Sequence, residues 1–135
     1  MKILIDSDAL IAIFNRQDAL HQKASLILQK IEKYHHVLHF TNLVKQESAT
    51  VISHRINMKE AIKYLKLLEK TIINQIKVEN DIELSAWEVF CQQTKKGCSF
   101  IDCSNIAVIN KYHLDGIFSF DKFYSPTLKK WLNAL

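Results

Sequence analysis

The chain has 135 residues, of which 48% are hydrophobic and 24% are charged, a composition typical of one globular domain. Lys and Arg together number 18 and Asp and Glu 14, and the resulting net charge of +4 permits a polyanionic partner without indicating one. Two glycines and one proline exclude a glycine-rich phosphate loop and a flexible linker, so we expect a single domain over residues 1–135.

The sequence also disfavours secreted, zinc-binding and membrane proteins. The three cysteines have no Cys-x-x-Cys spacing, which favours neither a disulfide framework nor a zinc site. The apolar runs are far shorter than a membrane span, and the N-terminus lacks the layout of a signal peptide. We therefore expect a cytoplasmic protein without a membrane partner.

Apolar periodicity predicts alternating strands and helices. Short apolar, β-branched runs predict strands, and apolar residues at helical spacing predict amphipathic helices. In chain order the predicted elements are a strand at 3–5, helices at 9–15 and 18–33, a strand at 37–41, helices at 42–55 and 58–70, a strand at 72–78, helices at 81–95 and 103–112, a strand at 117–121 and a capped helix at 129–135. This alternation is typical of an α/β fold with a parallel sheet, helices on its faces and right-handed crossovers.

The first predicted strand is followed at once by acids. Asp6 comes directly after the apolar run 3–5, and Asp8 follows two residues later. In open α/β sheets, ligands bind beyond the carboxyl ends of the strands. Two adjacent carboxylates raise each other's pKa unless a cation neutralises them, so this strand end predicts a metal ion.

Glu47 interrupts an apolar stripe on the helix predicted at 42–55. Leu43, Val44 and Val51 lie within a turn of it on the same side of that helix. The common alternative for a helical glutamate is a surface residue paired with a lysine. The position within the stripe favours a site residue instead.

Asp102 precedes the helix predicted at 103–112. An N-cap role is the common alternative to a site role for an aspartate at such a position. Asn105 lies one turn later and would face the same way as Asp102.

The strand predicted at 117–121 repeats the pattern of the first, because it too ends in an aspartate, Asp121. Strand alternation puts Ser119 and Asp121 on one side. If the first and last strands are neighbours in the sheet, Asp6 and Asp121 would emerge side by side.

Taken in order, the four acids resemble the PIN domain, the fold of VapC-type toxin ribonucleases and related nucleases. They are Asp6 in ILIDSDALI, Glu47 in NLVKQESATVI, Asp102 in SFIDCSNIAVI and Asp121 in IFSFDKFYS. The resemblance covers essentially the whole chain and includes a small hydroxyl residue, Ser119, two positions before the last acid. It implies a three-layer sandwich with a central parallel sheet in the order 3-2-1-4-5 and a metal-dependent endoribonuclease centre.

The resemblance also implies partners. It implies an RNA substrate, homodimerisation and, for toxins, a small inhibitory antitoxin protein. We expect an antitoxin to cover the acidic pocket or to insert a cation into it. For the homodimer, residues 58–70 are the expected interface.

Three positions depart from the family pattern. Asp8 stands where the family usually has a small polar residue, which adds charge and a further oxygen donor. The segment from Ser125 and Pro126 onwards predicts a capped helix where the family has a fifth strand, so that strand is doubtful. No Arg or Lys matches a motif for substrate contact, and the RNA target and cleavage site are left open.

All the candidate ligands are oxygen donors, which suit Mg²⁺ or Mn²⁺ and not zinc. One or two such ions would activate a water for in-line attack on a phosphodiester. Asp6, Asp102 and Asp121 are the expected principal ligands, and Glu47 binds directly or through water. Three further residues are candidates to orient these carboxylates from behind: Asp8, Asn105 and Ser119.

Three alternatives remain. An Asp-Ser-Asp sequence after a strand is also typical of haloacid-dehalogenase-type phosphatases, which use an aspartyl nucleophile. That pattern requires Thr or Val where this chain has Leu10, and usually a larger chain with a late lysine. A non-toxin PIN nuclease of RNA processing and an inactive PIN binding module stay within the family, and the presence of all four acids argues against the latter.

Overall fold

The computed structural model describes the whole chain from Met1 to Leu135 as one α/β sandwich. The strands are β1 (Lys2–Ile5), β2 (Val37–Thr41), β3 (Asn74–Ile76) and β4 (Gly116–Phe118). They form one parallel sheet in the order β3-β2-β1-β4. The helices are α1 (Ser7–Phe14), α2 (His21–Lys33), α3 (Asn42–Arg55), α4 (Met58–Lys70), α5 (Asn80–Cys91) and α6 (Phe100–Tyr112), followed by a 3₁₀ helix at Pro126–Ala134.

The central strand β1 joins the two halves of the core. Ile3, Leu4 and Ile5 are all completely buried, because β1 has a neighbouring strand on each side and helices on both faces. Successive side chains alternate between faces. Ile3 and Ile5 therefore pack in the apolar cluster formed with α1 to α4, and Leu4 packs in the cluster formed with α5 and α6. The chain leaves β1 between these two layers.

The expected α/β architecture and the neighbouring positions of β1 and β4 are confirmed, but the sheet has four strands and no fifth. The 3₁₀ helix covers the outer edge of β4, where a fifth strand would pair. Trp131 Nε1 donates to the carbonyl oxygen of Ile117 at 2.9 Å, which occupies a hydrogen-bonding group of that edge. Gly116 permits the close approach, since a Cβ there would lie 2.3 Å from the Leu128 carbonyl oxygen and 2.4 Å from Trp131 Cδ1.

Several predicted boundaries are wrong. The helix predicted at 81–95 ends at Cys91, and the connecting loop contains Gly97 with a φ of 97°. The helix predicted at 103–112 begins at Phe100, because Ser99 caps it three residues earlier than expected. The strand predicted at 117–121 ends at Phe118, since the N–H groups of Phe120 and Asp121 donate to side chains instead.

No helix of this structure combines the length and the apolar character that crossing a membrane requires.

Candidate acidic site

Asp6 lies where β1 ends and α1 begins. It is the N-cap of α1, and its Oδ1 accepts a hydrogen bond from Ser7 N at 2.8 Å. The residue is only 3% exposed. Burial, with a further contribution from the neighbouring Asp8 carboxylate, raises the pKa of Asp6 to about 7. Asp6 is therefore a carboxyl group that the fold places where its charge is costly.

Ser119 connects the end of β4 with the acids at the end of β1. Its hydroxyl lies 2.9 Å from Asp6 Oδ2 and 3.2 Å from Asp8 Oδ1, and it accepts a hydrogen bond from Asp121 N at 3.1 Å. The single hydroxyl hydrogen of Ser119 is thus shared between the carboxylates of Asp6 and Asp8. These contacts place the Ser119 hydroxyl behind both carboxylates, and its role in orienting them stays a prediction.

Asp8, in the first turn of α1, forms a hydrogen bond with the segment that follows β4. Its Oδ2 accepts a hydrogen bond from Phe120 N at 2.9 Å, the N–H that a longer strand would have paired within the sheet. Burial raises the pKa of Asp8, and the Asp121 carboxylate contributes in the same direction. Asp8 and Asp121 therefore interact electrostatically across the cleft.

Helix α6 brings Asp102 and Asn105 to the same cleft. Asn105 is fully buried and donates from Nδ2 to Asp6 Oδ1 at 3.2 Å. Asp102 is half-buried and close enough to Asp6 to contribute to the raised pKa of Asp6. The expected alternative for Asp102, an N-cap, is wrong, because Ser99 is the N-cap and Asp102 is the third residue of the helix. Asp102 does complete a capping box, in which its Oδ2 accepts from Ser99 N at 3.1 Å.

Glu47, on α3, is half-buried and accepts a hydrogen bond from the Ser7 hydroxyl. The alternative of a lysine-paired surface residue is wrong, since the only ion pair in the structure joins Lys77 and Glu79. Ser7 directly follows Asp6, so this hydrogen bond places Glu47 beside the end of β1.

Asp121 lies in an exposed turn, three residues after the end of β4. Its Oδ1 accepts from Phe123 N at 2.9 Å. Lys129 Nζ donates to the backbone carbonyl oxygen of Asp121 at 2.6 Å and leaves its carboxylate unpaired. Asp121 is thus the outermost of the acids and the one most open to water.

Three polar residues of the site were not among the sequence candidates: Ser7, Ser99 and Tyr124. Ser99 carries a signal that sequence can supply, since Ser99 and Asp102 have the Ser-x-x-Asp spacing of a capping box, and Ser7 directly follows Asp6 after the predicted strand. Tyr124 donates its hydroxyl hydrogen to Asp102 Oδ1 at 3.3 Å. That contact depends on the fold, and no local pattern indicates it.

The donors of the site fit a hard divalent cation in type, because all of them are oxygen atoms. Asp6, Asp8 and Asp102 have no basic partner, so the fold concentrates negative charge at the carboxyl end of β1. As they are oriented in the structure, no three Asp, Glu, His or Cys side chains stand close enough to hold an ion. Glu47 accepts from the Ser7 hydroxyl and Asp102 accepts from Ser99 N, and each carboxylate keeps lone pairs available to a cation.

The family model of the PIN domain matches residues 3–125 of this chain. The chain belongs to the PIN domain family. The β3-β2-β1-β4 sheet is therefore that of a PIN domain in which a 3₁₀ helix follows the last strand.

Individual PIN relatives resemble the chain over nearly its full length. The 23S rRNA-specific endonuclease VapC20 of Mycobacterium tuberculosis is 25% identical over 123 residues, which are 91% of this chain and 92% of VapC20. The crystal structure of VapC20, described as a Sarcin-Ricin loop cleaving toxin, superposes with a TM-score of 0.80 at 24% identity, over 88% of this chain and 89% of that one. VapBC2 from Rickettsia felis, crystallised with a DNA fragment from its promoter, superposes with a TM-score of 0.69 at 10% identity, over 98% and 92% of the two chains. At these identities the superpositions show a shared fold.

Proposed function

We propose that this PIN domain is a divalent-metal-dependent endoribonuclease that hydrolyses RNA phosphodiester bonds and acts as the toxin of a toxin-antitoxin pair. The observation that carries the proposal is the meeting of Asp6, Asp8 and Asp102 at the end of β1, without a basic partner. Similarity to a 23S rRNA-specific endonuclease over 91% of the chain supports RNA as the substrate.

In this proposal Asp6, Asp102 and Asp121 hold Mg²⁺ or Mn²⁺, and Glu47 joins them directly or through a water. The bound cation supplies a water of lowered pKa and neutralises charge that develops on the phosphodiester. The chain's own contribution is orientation, because Asn105 and Ser119 each donate to one oxygen of Asp6 and fix the plane of its carboxylate. Neutralisation by a cation also offsets the cost of ionising the buried Asp6.

The deciding experiment incubates a pool of structured RNA with the full chain and Mg²⁺ or Mn²⁺, with EDTA as the control. Metal-dependent cleavage that is lost in Asp6→Asn supports the proposal. Asp81→Asn, which removes an exposed acid of α5 outside the cleft, is the matched variant and should cleave as the unmodified chain does. Equal cleavage by Asp6→Asn and Asp81→Asn would refute the assignment of the centre.

Two other functions give different results in the same assay. A phosphatase would hydrolyse a small phosphomonoester such as p-nitrophenyl phosphate and leave RNA intact. An inactive binding module would retain RNA in a gel-shift experiment without cutting it. A non-toxin processing nuclease would cleave RNA but would not arrest growth when it is expressed without a partner.

We further propose that an antitoxin neutralises the chain by placing a cationic side chain in the acidic site. The exposed Asp121 carboxylate is the acid such a side chain would meet first. A groove of about 1520 Å³ between α1, α2 and α4 offers a second surface, lined in part by Leu67 and Ile72. Affinity capture of a co-expressed antitoxin distinguishes the two surfaces. Asp121→Lys should abolish capture if the acidic site is the contact, and Leu67→Glu should abolish it if the groove is.

Homodimerisation remains a proposal, with α4 as the candidate interface. Met58 and Ile62, one turn apart on the same face of this helix, are 62% and 47% exposed and form an apolar patch there. Light scattering after size-exclusion chromatography measures the mass directly. Ile62→Glu should convert a dimer to a monomer if α4 is the interface, and an unchanged dimer would place the interface elsewhere.

A further inference from the structure

A buried chain of hydrogen bonds joins two of the acids, Asp6 and Asp102. Asn105 Nδ2 lies 3.2 Å from Asp6 Oδ1 and 2.9 Å from the hydroxyl oxygen of Tyr124, and it donates one hydrogen to each. Tyr124 in turn donates its hydroxyl hydrogen to Asp102 Oδ1 at 3.3 Å. Asn105 is fully buried and Tyr124 is only 3% exposed, so water does not compete for these bonds.

When Asp6 is ionised, as it is with a bound cation, the donors and acceptors of this hydrogen-bond network fit in one direction only. An amide nitrogen donates and a carboxylate accepts. The Tyr124 oxygen accepts from Asn105, and its single hydrogen is therefore left for a carboxylate, with Asp102 Oδ1 the acceptor at 3.3 Å and Asp6 also close by. An Asn105 amide turned the other way would point its Oδ1 at an oxygen of Asp6, which is unfavourable because both atoms are acceptors.

Two further observations agree with this direction. Burial, together with the carboxylates of Asp6 and Asp102, holds the pKa of the Tyr124 hydroxyl well above its usual range, so that the hydroxyl keeps its hydrogen. Asn105 Oδ1 is buried without a partner. The fold thus leaves one acceptor unsatisfied while both N–H groups of the same amide serve the network.

Packing fixes the position of Tyr124. The residue belongs to the apolar cluster on the α5 and α6 side of the sheet, together with Val108 and Ile117. It also follows Asp121 by three residues, within the turn where Asp121 accepts from Phe123 N. The ring is therefore anchored in the core while the hydroxyl reaches the acids, and the same short segment carries Asp121.

We propose that Tyr124 is a positioning residue whose hydroxyl holds the Asp102 carboxylate beside Asp6, so that the two acids bind one divalent cation. The effect on RNA cleavage rests on the proposed function, whereas the effect on cation binding does not. The hydrogen bond from Tyr124 to Asp102 is long for an O–H···O contact and is the weakest of the three hydrogen bonds in this network. The test is aimed at this link.

Tyr124→Phe removes only the hydroxyl group. Tyr64→Phe is the matched control, because it removes another buried tyrosine hydroxyl, bonded to Ser48 in the apolar cluster on the opposite face of the sheet. Isothermal titration calorimetry of the full chain with Mn²⁺ should give an affinity about 10-fold or more weaker for Tyr124→Phe, as for other residues that orient metal ligands. Tyr64→Phe should bind Mn²⁺ like the unmodified chain. Unchanged affinity in Tyr124→Phe, or loss of its fold by circular dichroism, would overturn the proposal.

A double-mutant cycle separates positioning from general loosening. If Tyr124 acts through Asp102, adding Tyr124→Phe to Asp102→Asn should weaken Mn²⁺ binding no further. Equal losses in both backgrounds would overturn the positioning role. In cleavage assays Tyr124→Phe should lose kcat, regain it at high Mn²⁺ and keep its KM for RNA.

The same measurements distinguish the two proposals. An unmodified chain that binds Mn²⁺ but cleaves no RNA would refute the nuclease function, while the comparison of Mn²⁺ affinities would still decide the role of Tyr124. An unmodified chain that binds no Mn²⁺ would overturn both.

Discussion

The ends of β1 and β4 share one sequence pattern, an apolar strand with an aspartate after it, but the structure gives the two aspartates different surroundings. Asp6 directly follows β1 and is 3% exposed, and burial raises its pKa to about 7. Asp121 lies beyond β4 in an exposed turn, where its carboxylate meets water. The difference arises because Asp6 directly follows β1, level with the buried Ser119, whereas Asp121 lies two residues further along the turn after β4.

The comparison indicates a division of roles between the two acids. The enclosed Asp6 has a carboxylate that Asn105 and Ser119 orient through fixed hydrogen bonds. The exposed Asp121 is oriented only by its own turn, through Phe123 N. We expect Asp6 to determine whether the site binds a cation and Asp121 to adjust how that cation meets the substrate.

The largest effect should come from Asp6→Asn, which should reduce RNA cleavage below detection because it removes the innermost ligand. The loss should exceed the roughly 10- to 100-fold that residues behind the ligands contribute. A cleavage assay with circular dichroism as the folding control measures it. Cleavage within a factor of a few of the unmodified chain would show that Asp6 is not the centre.

The second effect is on stability. The folded protein keeps the Asp6 proton up to pH about 7, whereas the ordinary pKa of this carboxyl is 3.8. Since the folded state binds more protons between these values, stability in EDTA should fall as pH rises from about 4 to 7 and then level off, by up to about 4 kcal/mol from this group. Urea unfolding at a series of pH values measures the slope, and Asp6→Asn should flatten it. An equal slope in both proteins would mean that Asp6 is not the titrating group.

Asp121→Asn should separate activity from stability. We expect cleavage to fall about 100-fold, in line with the loss of a charged group that faces the reaction. The free energy of unfolding should stay within about 0.5 kcal/mol, because the residue is exposed. Cleavage kinetics and urea unfolding of the same preparation test both parts. A marked loss of stability in Asp121→Asn would show that Asp121 is not the energetically neutral, exposed residue that the contrast with Asp6 assumes.

Ser119→Ala should have the smallest effect, since it removes a hydroxyl that orients Asp6 and Asp8 without being a ligand. We expect a loss of cleavage of about 10-fold. Ser53→Ala, on α3 and bonded only to its own helix, is the matched control. If the two variants cleave equally well, the hydroxyl of Ser119 does not orient the acids.

Much of the fold could be predicted, because the spacing of hydrophobic residues along the sequence follows which side chains are buried. The apolar run at residues 3–5 is the central strand because only a strand covered on both faces buries every side chain. The ends of elements were less predictable, since they depend on competing hydrogen bonds. β4 stops at Phe118 because Phe120 N pairs with Asp8, and α6 starts early because Ser99 and Asp102 cap each other.

The sequence by itself determined the identities and order of the four acids, the oxygen-donor character of the site and the alternation that makes the sheet parallel. Only the tertiary structure decided which acid is buried, because β4 ends at Phe118 and leaves Asp121 in an exposed turn, whereas Asp6 directly follows β1. It also decided that Tyr124 reaches Asp102 and that Ser7 reaches Glu47, contacts between segments with no common local pattern. Local periodicity specifies which face of an element is apolar, whereas the partners of polar atoms depend on how separate segments meet.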